Sequence, residues 1–398
     1  MASDSFQVVT SRSWMSRIGG AIKGVIFGLV LFFGALVLLF WNEGRAVERY
    51  KTLKEGGGSV VSIAADRVDQ GNEGKLVHVS GRAESGGVVV DPEFAVRAKA
   101  IKIIRSVEMY QWAENSRSET RKKLGGGEET VTTYTYEKRW SERRIDSSGF
   151  KQPEGHGNPQ MPYQSETFVA PEVRLGAFRL PRFLVDQINV SRPLQLSDDV
   201  VAQAKFPPRA KRHETGLYLG FSADSPQLGD IRVSYSVVED TEVSLAAEQH
   251  GDSFKAYKTK AGGTIALLQI GQVPAEAMFA QAQQSNTMLT WVLRVGGFVL
   301  MFIGFRMILG PLAVLSDVVP AIGSLVGSGV SMISGVIAAV LSTLTIAIAW
   351  IVYRPLLGIS LVVLAAVVGF FIVGKVRKAT PAAVPPPSPH TPPPIPGG

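Results

Sequence analysis

The sequence predicts a membrane protein of about four transmembrane α-helices, with one large β-rich (α+β) extracytoplasmic domain between the first and second spans. Three observations predict it. Long apolar runs sit at 24–41 and from 288 to 373, and nowhere between. Charge is partitioned: residues 43–288 hold 32 Lys/Arg and 32 Asp/Glu, while the flanks hold 9 and 2, so the net +7 lies wholly in the apolar flanks. The stretch between reads as short alternating runs separated by turn residues, the pattern of strands. Of 398 residues 45% are hydrophobic and only 19% charged, against about 25% charged in soluble domains. A wholly soluble or wholly disordered chain is excluded. The neutral domain also removes the reason to expect nucleic-acid binding. The lack of cysteine excludes disulfides, thiolate metal sites and a cysteine nucleophile.

In chain order, residues 1–23 form a cytoplasmic segment carrying Arg12, Arg17 and Lys23. The first span, 24–41, has 18 residues without a charge, about 27 Å of helix against a hydrocarbon core of about 30 Å. It is too long for a signal-peptide core, and Phe40-Trp41-Asn42-Glu43 is no cleavage site. It is therefore an uncleaved anchor, with Trp41 at the interface.

The domain occupies 42–287. Strands are expected at 75–81, 88–90, 101–112, 130–140, 231–237 and 265–270 from alternation and composition. Antiparallel pairing of 105–113 with 131–142, across a charged Gly-rich loop at 115–129, would gather Tyr110, Trp112, Tyr134, Tyr136 and Trp140. Cross-strand packing is the favoured role; the alternative is an aromatic platform for a ligand or the membrane interface. Pro274 then opens a helix that runs through 275–285 into the second span.

That span is 288–309, with Arg294 and Arg306 as interface anchors that snorkel to opposite headgroup layers. Gly310-Pro311 breaks the helix. From 318 to 352 the chain runs 35 residues without a charge, interrupted by Pro320 and several glycines. An interfacial or re-entrant piece is expected at 318–328 and the third span at 329–352. Gly323, Gly327, Ser331, Gly335, Ala339, Thr343 and Ala347 recur at every fourth position, a small-residue stripe for helix packing. A turn at 353–355 leads to the fourth span, 356–373. Residues 374–398 form a cytoplasmic tail, basic at Lys375, Arg377 and Lys378 and then Pro-rich, with 9 of the 23 prolines after residue 378. The positive-inside rule sets both termini in the cytoplasm, against the counter-signal of Arg45, Arg49, Lys51 and Lys54 beyond the first span.

No catalytic, cofactor-binding or metal-binding residue emerges, and no cofactor is expected. His78, His156, His213, His250 and His390 lack helical metal-ligand spacing. No phosphate-binding, nucleophile-elbow or dinucleotide motif is present. Asn42-Glu43-Gly44-Arg45 and Asn72-Glu73-Gly74-Lys75 read as turns. Lys205, Arg209, Lys211, Arg212 and His213 read as a solvated loop, with anionic lipid contact as the alternative.

Several blocks together resemble the transmembrane protein 43 (LUMA) family. They are residues 42–46, 72–78, Val107-Glu108-Met109-Tyr110-Gln111-Trp112, 134–142, 229–234 and Trp350-Ile351-Val352-Tyr353-Arg354-Pro355-Leu356. Their order and placement against four expected spans carry the likeness. The resemblance implies a four-span protein with its large domain on the lumenal side in eukaryotes. It also implies self-association and, in animals, nuclear-envelope partners such as emerin and lamins; it supplies no catalytic residue. The Pro-rich tail and absent cysteine point to a bacterial or otherwise divergent member. The membrane is then the bacterial inner (plasma) membrane, or the endoplasmic reticulum and inner nuclear membrane in a eukaryote. The functional expectation is a non-enzymatic scaffold that binds lipid or unidentified membrane proteins and associates with itself, with no nucleic acid or small-molecule substrate. A channel or transporter subunit is the alternative, and a membrane hydrolase a distant third.

Overall fold

The computed structural model describes residues 4–196, 210–214, 216–356, 358–360 and 363. Strand β1 (Ser5–Arg12) leads into the 46-residue helix α1 (Trp14–Ser59), whose first turn is capped by the Ser13 hydroxyl accepting from the Ser16 amide. The strands β2 (Val61–Ile63), β3 (Leu76–Ser85), β4 (Val88–Val90), β5 (Arg97–Lys99), β6 (Lys102–Lys122), β7 (Glu128–Ser141), β8 (Glu166–Val169), β9 (Val173–Leu175) and β10 (Phe178–Arg179) follow. After the short helix α2 (Arg182–Val185) come β11 (Arg192–Pro193), β12 (Ala210–His213), β13 (Gly216–Leu219), β14 (Ile231–Val238), β15 (Thr241–His250), β16 (Ser253–Lys255), β17 (Tyr257–Lys258), β18 (Thr264–Ile265) and β19 (Leu267–Ile270). Helices α3 (Ala275–Ile308), α4 (Gly310–Ser316) and α5 (Pro320–Tyr353) complete the order.

Among the described residues an eight-stranded sheet runs β1-β7-β6-β14-β13-β12, with β8 on β6 and β11 on β14. A seven-stranded sheet runs β10-β9-β3-β15-β16, with β19 on β15 and β2 on β3. The alternation that predicts strands also fills one shared core. Ile231, Val233, Tyr235 and Val237 of β14 bury there with Val107 and Met109 of β6. Val77 and Val79 of β3 and Val243 and Leu245 of β15 supply the opposite side. Strand β3 is buried on both faces, because Leu76 packs with Leu53 of α1 and Phe279 of α3. The helices thus rest on the second sheet.

Three helices, Trp14–Ser59, Ala275–Ile308 and Ala321–Tyr353, are long and apolar enough to cross a membrane. The fourth expected span, 356–373, lies for the most part outside the described residues, as does the tail. At about 69 Å, α1 is over twice the hydrocarbon thickness; residues 42–59, assigned above to the domain, are its continuation. Helix α3 likewise runs from Pro274 without a break, as expected.

Three expectations need correction. Residues 318–328 are not a separate piece: α5 starts at Pro320 and is continuous. Proline suits a first turn, and backbone groups at membrane depth must pair internally, which favours an unbroken helix over a glycine-rich loop. The separate short piece is α4. Second, the 115–129 loop is mostly strand. Pairing continues from Met109–Ser141 to Lys122–Glu128, the hydroxyls of Ser118–Thr132 and Thr120–Thr130 bond across it at 2.9 Å, and the turn uses Gly125 and Gly126 at positive φ. Third, residues 1–23 do not stand apart from the domain: β1 is an edge strand of its sheet, with Val8 opposite Thr132. Strands cannot pair through a bilayer. The β6–β7 ladder makes the meeting feasible, since its paired length is about 45 Å against about 39 Å of α1 between Arg17 and Glu43. Residues 115–122 of this arm are polar and exposed, so lipid can cover only helix faces turned away from it.

Candidate functional site

The densest polar structure among the helices lies where α1, α3 and α5 meet. Asn286, Thr290 and Arg294 are spaced four apart on α3, which stacks them on one face. Opposite them α1 presents Asn42, Glu43 and Arg45. Glu43 is fully buried and takes a bidentate pair from Arg294, Nε to Oε1 at 2.7 Å and Nη2 to Oε2 at 2.9 Å. Trp350 of α5 donates its indole N–H to the same carboxylate at 2.8 Å. The Arg294 guanidinium lies 4.8 Å from the Trp291 ring centre and 5.6 Å from that of Trp350. One turn along, Asn42 donates to the Thr290 carbonyl and Asn286 to the Ala46 carbonyl. Arg45 donates to Asn286 Oδ1, Asn42 Oδ1 and Thr290 Oγ1 at 3.0–3.2 Å. This clamp fixes the helices' register: sliding any of them by a turn would strand a buried charge.

Arg294 therefore does not snorkel as expected; its partner is a buried carboxylate 251 positions away. Nor is Asn42–Arg45 a turn. It is helix interior, where Gly44 leaves room for the Tyr353 ring, which an added Cβ would meet at 2.7 Å. The second copy of the motif does turn, with Gly74 at φ +74°. Trp41 is 54% exposed, on the outside of the bundle one turn below Arg45.

At the opposite end of the bundle Arg17 joins Asp317, Glu128 and the Gly126 carbonyl, Lys122 reaches Asp317 at 2.6 Å, and Trp14 donates to the Val314 carbonyl at 2.9 Å. These contacts seat the tip of the β6–β7 arm on the bundle. Exposed Arg306 lines a cavity of about 400 Å³ beside them, with Gly323, Gly327 and Ser331. The small-residue stripe is not one packing face. Fourfold spacing drifts about 40° per step, so Gly323 is buried, Gly327, Ser331 and Gly335 are half-buried, and Ala339, Thr343 and Ala347 are exposed. The face of α5 that packs inward is Ser334, Ala338, Ser342 and Ala349. A backbone-to-backbone helix approach escaped the sequence reading: a Cβ at Gly28 would lie 2.7 Å from the Gly304 carbonyl oxygen, and one at Gly304 would lie 2.9 Å from that of Gly28.

The five aromatics divide into groups. Tyr110 and Trp140 are directly paired, with ring centres 5.3 Å apart, and Arg232 sits 4.5 Å above Trp140. Trp112 and Tyr136 instead enclose buried His156, Tyr136 stacking at 4.0 Å and Trp112 edge-on at 4.7 Å. His156 also meets Asp4 at 2.9 Å, next to β1. Tyr134 lies farther out, opposite Ser116 and Phe6. Of the basic patch, Lys205 and Arg209 lie outside the described residues. Lys211 and His213 are on the edge strand β12.

With this geometry in place, comparison with known proteins supplies the kinship. Residues 109–355 match the family described as Transmembrane protein 43. The rat (Rattus norvegicus) Transmembrane protein 43 is 34% identical over 384 residues, 92% of this chain and 93% of that protein. The human (Homo sapiens) protein is 33% identical, covering 89% and 90%. The chain belongs to the transmembrane protein 43 family. A Drosophila melanogaster homolog of that protein is 28% identical over 86% of this chain and 92% of its own length. No solved structure matches. Membership together with the three apolar helices makes this an integral membrane protein. The family match includes all of α3, Trp350 of α5 and the β6–β7 pairing from Met109 outward, so one half of the clamp lies within it.

Proposed function

We propose that the protein is a non-enzymatic multi-pass membrane scaffold, its β-rich domain facing the lumen or periplasm and presenting a surface to protein partners or lipid. One observation carries this reading. Helices α1 and α3 pass unbroken from their apolar segments into the domain, and the Glu43–Arg294–Trp350 clamp ties them to α5. A domain held so rigidly is suited to fixing positions along a membrane. Self-association is assigned to the exposed end of the α5 stripe, Ala339, Thr343 and Ala347, where small side chains permit close approach of another helix. Crosslinking in native membranes tests it. Thr343→Leu with Ala347→Leu should abolish the crosslinked dimer, and an unchanged dimer would remove this face from the proposal.

A channel or transporter subunit is the second reading, favoured by the cavity at Arg306 and the α5 serines. Ion flux into liposomes carrying the purified chain would support it, and their remaining tight would retire it.

A further inference from the structure

Where α1 and α3 leave the apolar belt, they and the edge of the second sheet enclose a groove of about 590 Å³, within the range of about 300–1,000 Å³ usual for small-molecule sites. Arg45 and Arg49, one turn apart on α1, line one wall. Gln281, Ser285 and Leu289, each four residues apart on α3, line the other, and Leu267 and Leu268 of β19 close the side towards the domain. We propose that this groove binds the phosphate of an anionic phospholipid from the surrounding leaflet, with Arg45 and Arg49 as its phosphate-binding residues. This deepens the scaffold reading by naming a lipid ligand.

Charge supports the assignment. Two guanidinium groups face one carboxylate, Glu48. Among the described residues neither arginine has a carboxylate within ion-pair distance, whereas Arg17, Arg105 and Arg294 each do. Arg45 spends Nη1 and Nη2 on neutral acceptors and leaves Nε buried without one. Arg49 uses Nη1 on the Thr264 carbonyl. The one buried donor, Arg45 Nε, calls for an acceptor, and guanidinium forks match phosphate oxygens. Position supports the lipid as its source. Trp41 lies one turn below Arg45, and Trp291 lies just beyond Leu289; exposed tryptophans mark the headgroup level. Below the groove, Leu289, Val292 and Val299 continue along exposed α3, a track for an acyl chain. Gln281 and Ser285 above it are suited to headgroup hydroxyls.

The test uses the full chain in detergent, titrated with short-chain phosphatidylglycerol or phosphatidylcholine and read by native mass spectrometry and thermal shift. Phosphatidylglycerol should bind more tightly and raise Tm further. Arg49→Gln should lower that affinity about fivefold, the factor expected for one basic residue at an anionic surface, while Arg49→Lys keeps most of it. Ser285→Trp should block binding by filling the groove, which covers the case in which Arg45→Gln loosens the clamp and the chain fails to fold. Equal binding of the two lipids, or unchanged affinity in both Arg49→Gln and Ser285→Trp, would overturn the proposal. Glycerol 3-phosphate binding as tightly as phosphatidylglycerol would overturn the lipid as the source. Dimer crosslinking through Thr343 and Ala347 is independent of all these outcomes, so failure here leaves the self-association proposal standing.

Discussion

Glu43 accepts two bonds from Arg294 and one from Trp350 at a site without solvent access, so removing either charge strands the other. Breaking a buried pair costs about 3–5 kcal/mol, whereas replacing both partners by apolar groups of similar size is often nearly neutral. Glu43→Leu and Arg294→Leu should each lower the unfolding temperature of the detergent-solubilised chain sharply. The double variant should recover most of the loss; a double variant as unstable as the sum of the singles would show that the two residues act separately. The domain core holds a comparable knot. Asp91 accepts from Arg105 at 2.8 and 2.9 Å and from the Tyr235 hydroxyl at 2.8 Å. Burial, then the bond to Asp91, pushes the Tyr235 phenol well above its usual range. Because Arg105 still neutralises the carboxylate, Tyr235→Phe should cost about 1.5–3 kcal/mol, the worth of a hydrogen bond to a charged group, measured by chemical unfolding of the domain signal. No change in that midpoint would show the hydroxyl to be expendable.

At the scale of elements, legibility followed the reach of the signal. Alternation is local, so β14 and the inner halves of β6 and β7 could be read from residues two apart. Pro274 and Gly310-Pro311 mark helix ends through their own backbone chemistry. The outer half of the β6–β7 arm was hidden because both its faces are polar, and a strand without an apolar face has no period-2 hydrophobic signature. The clamp was hidden for another reason: Arg294 in isolation is a cation in an apolar run, and its partner is distant in the chain. The Gly28–Gly304 crossing was hidden because its two halves lie far apart in the chain, although Gly20, Gly24 and Gly28 recur at every fourth position of α1. Its consequence is testable. A side chain at either position must push two backbones apart, and overpacking costs about 1–3 kcal/mol. Gly28→Val and Gly304→Val should each lower Tm, while Gly34→Val, at a position facing no neighbour within 4 Å, should leave it unchanged. Equal effects at all three would refute the crossing.

At the scale of the whole molecule, the excess charge and the sheet pairing point in different directions. The +7 confined to the apolar flanks assigns the N-terminal segment to the cytoplasmic side by the positive-inside rule. Strand β1 nevertheless pairs with β7 over eight residues, Asp4 meets His156, and Arg17 holds Glu128. The two arrangements predict different neighbours for residue 8, and the native chain contains no cysteine to confuse the test. With cysteines at Val8 and Thr132, directly opposite in register, oxidation of native membranes should close an intramolecular disulfide, seen as a mobility shift that reductant reverses. Val8→Cys paired with Lys255→Cys, on β16 of the other sheet, should give none. If Val8 and Thr132 stay unlinked, and a membrane-impermeant thiol reagent labels them from opposite sides, the arm has no place beside the bundle and charge alone sets the topology. If they link, the first helix joins an edge strand of the first sheet to β2 of the second, and α1 is bound to the domain at both ends.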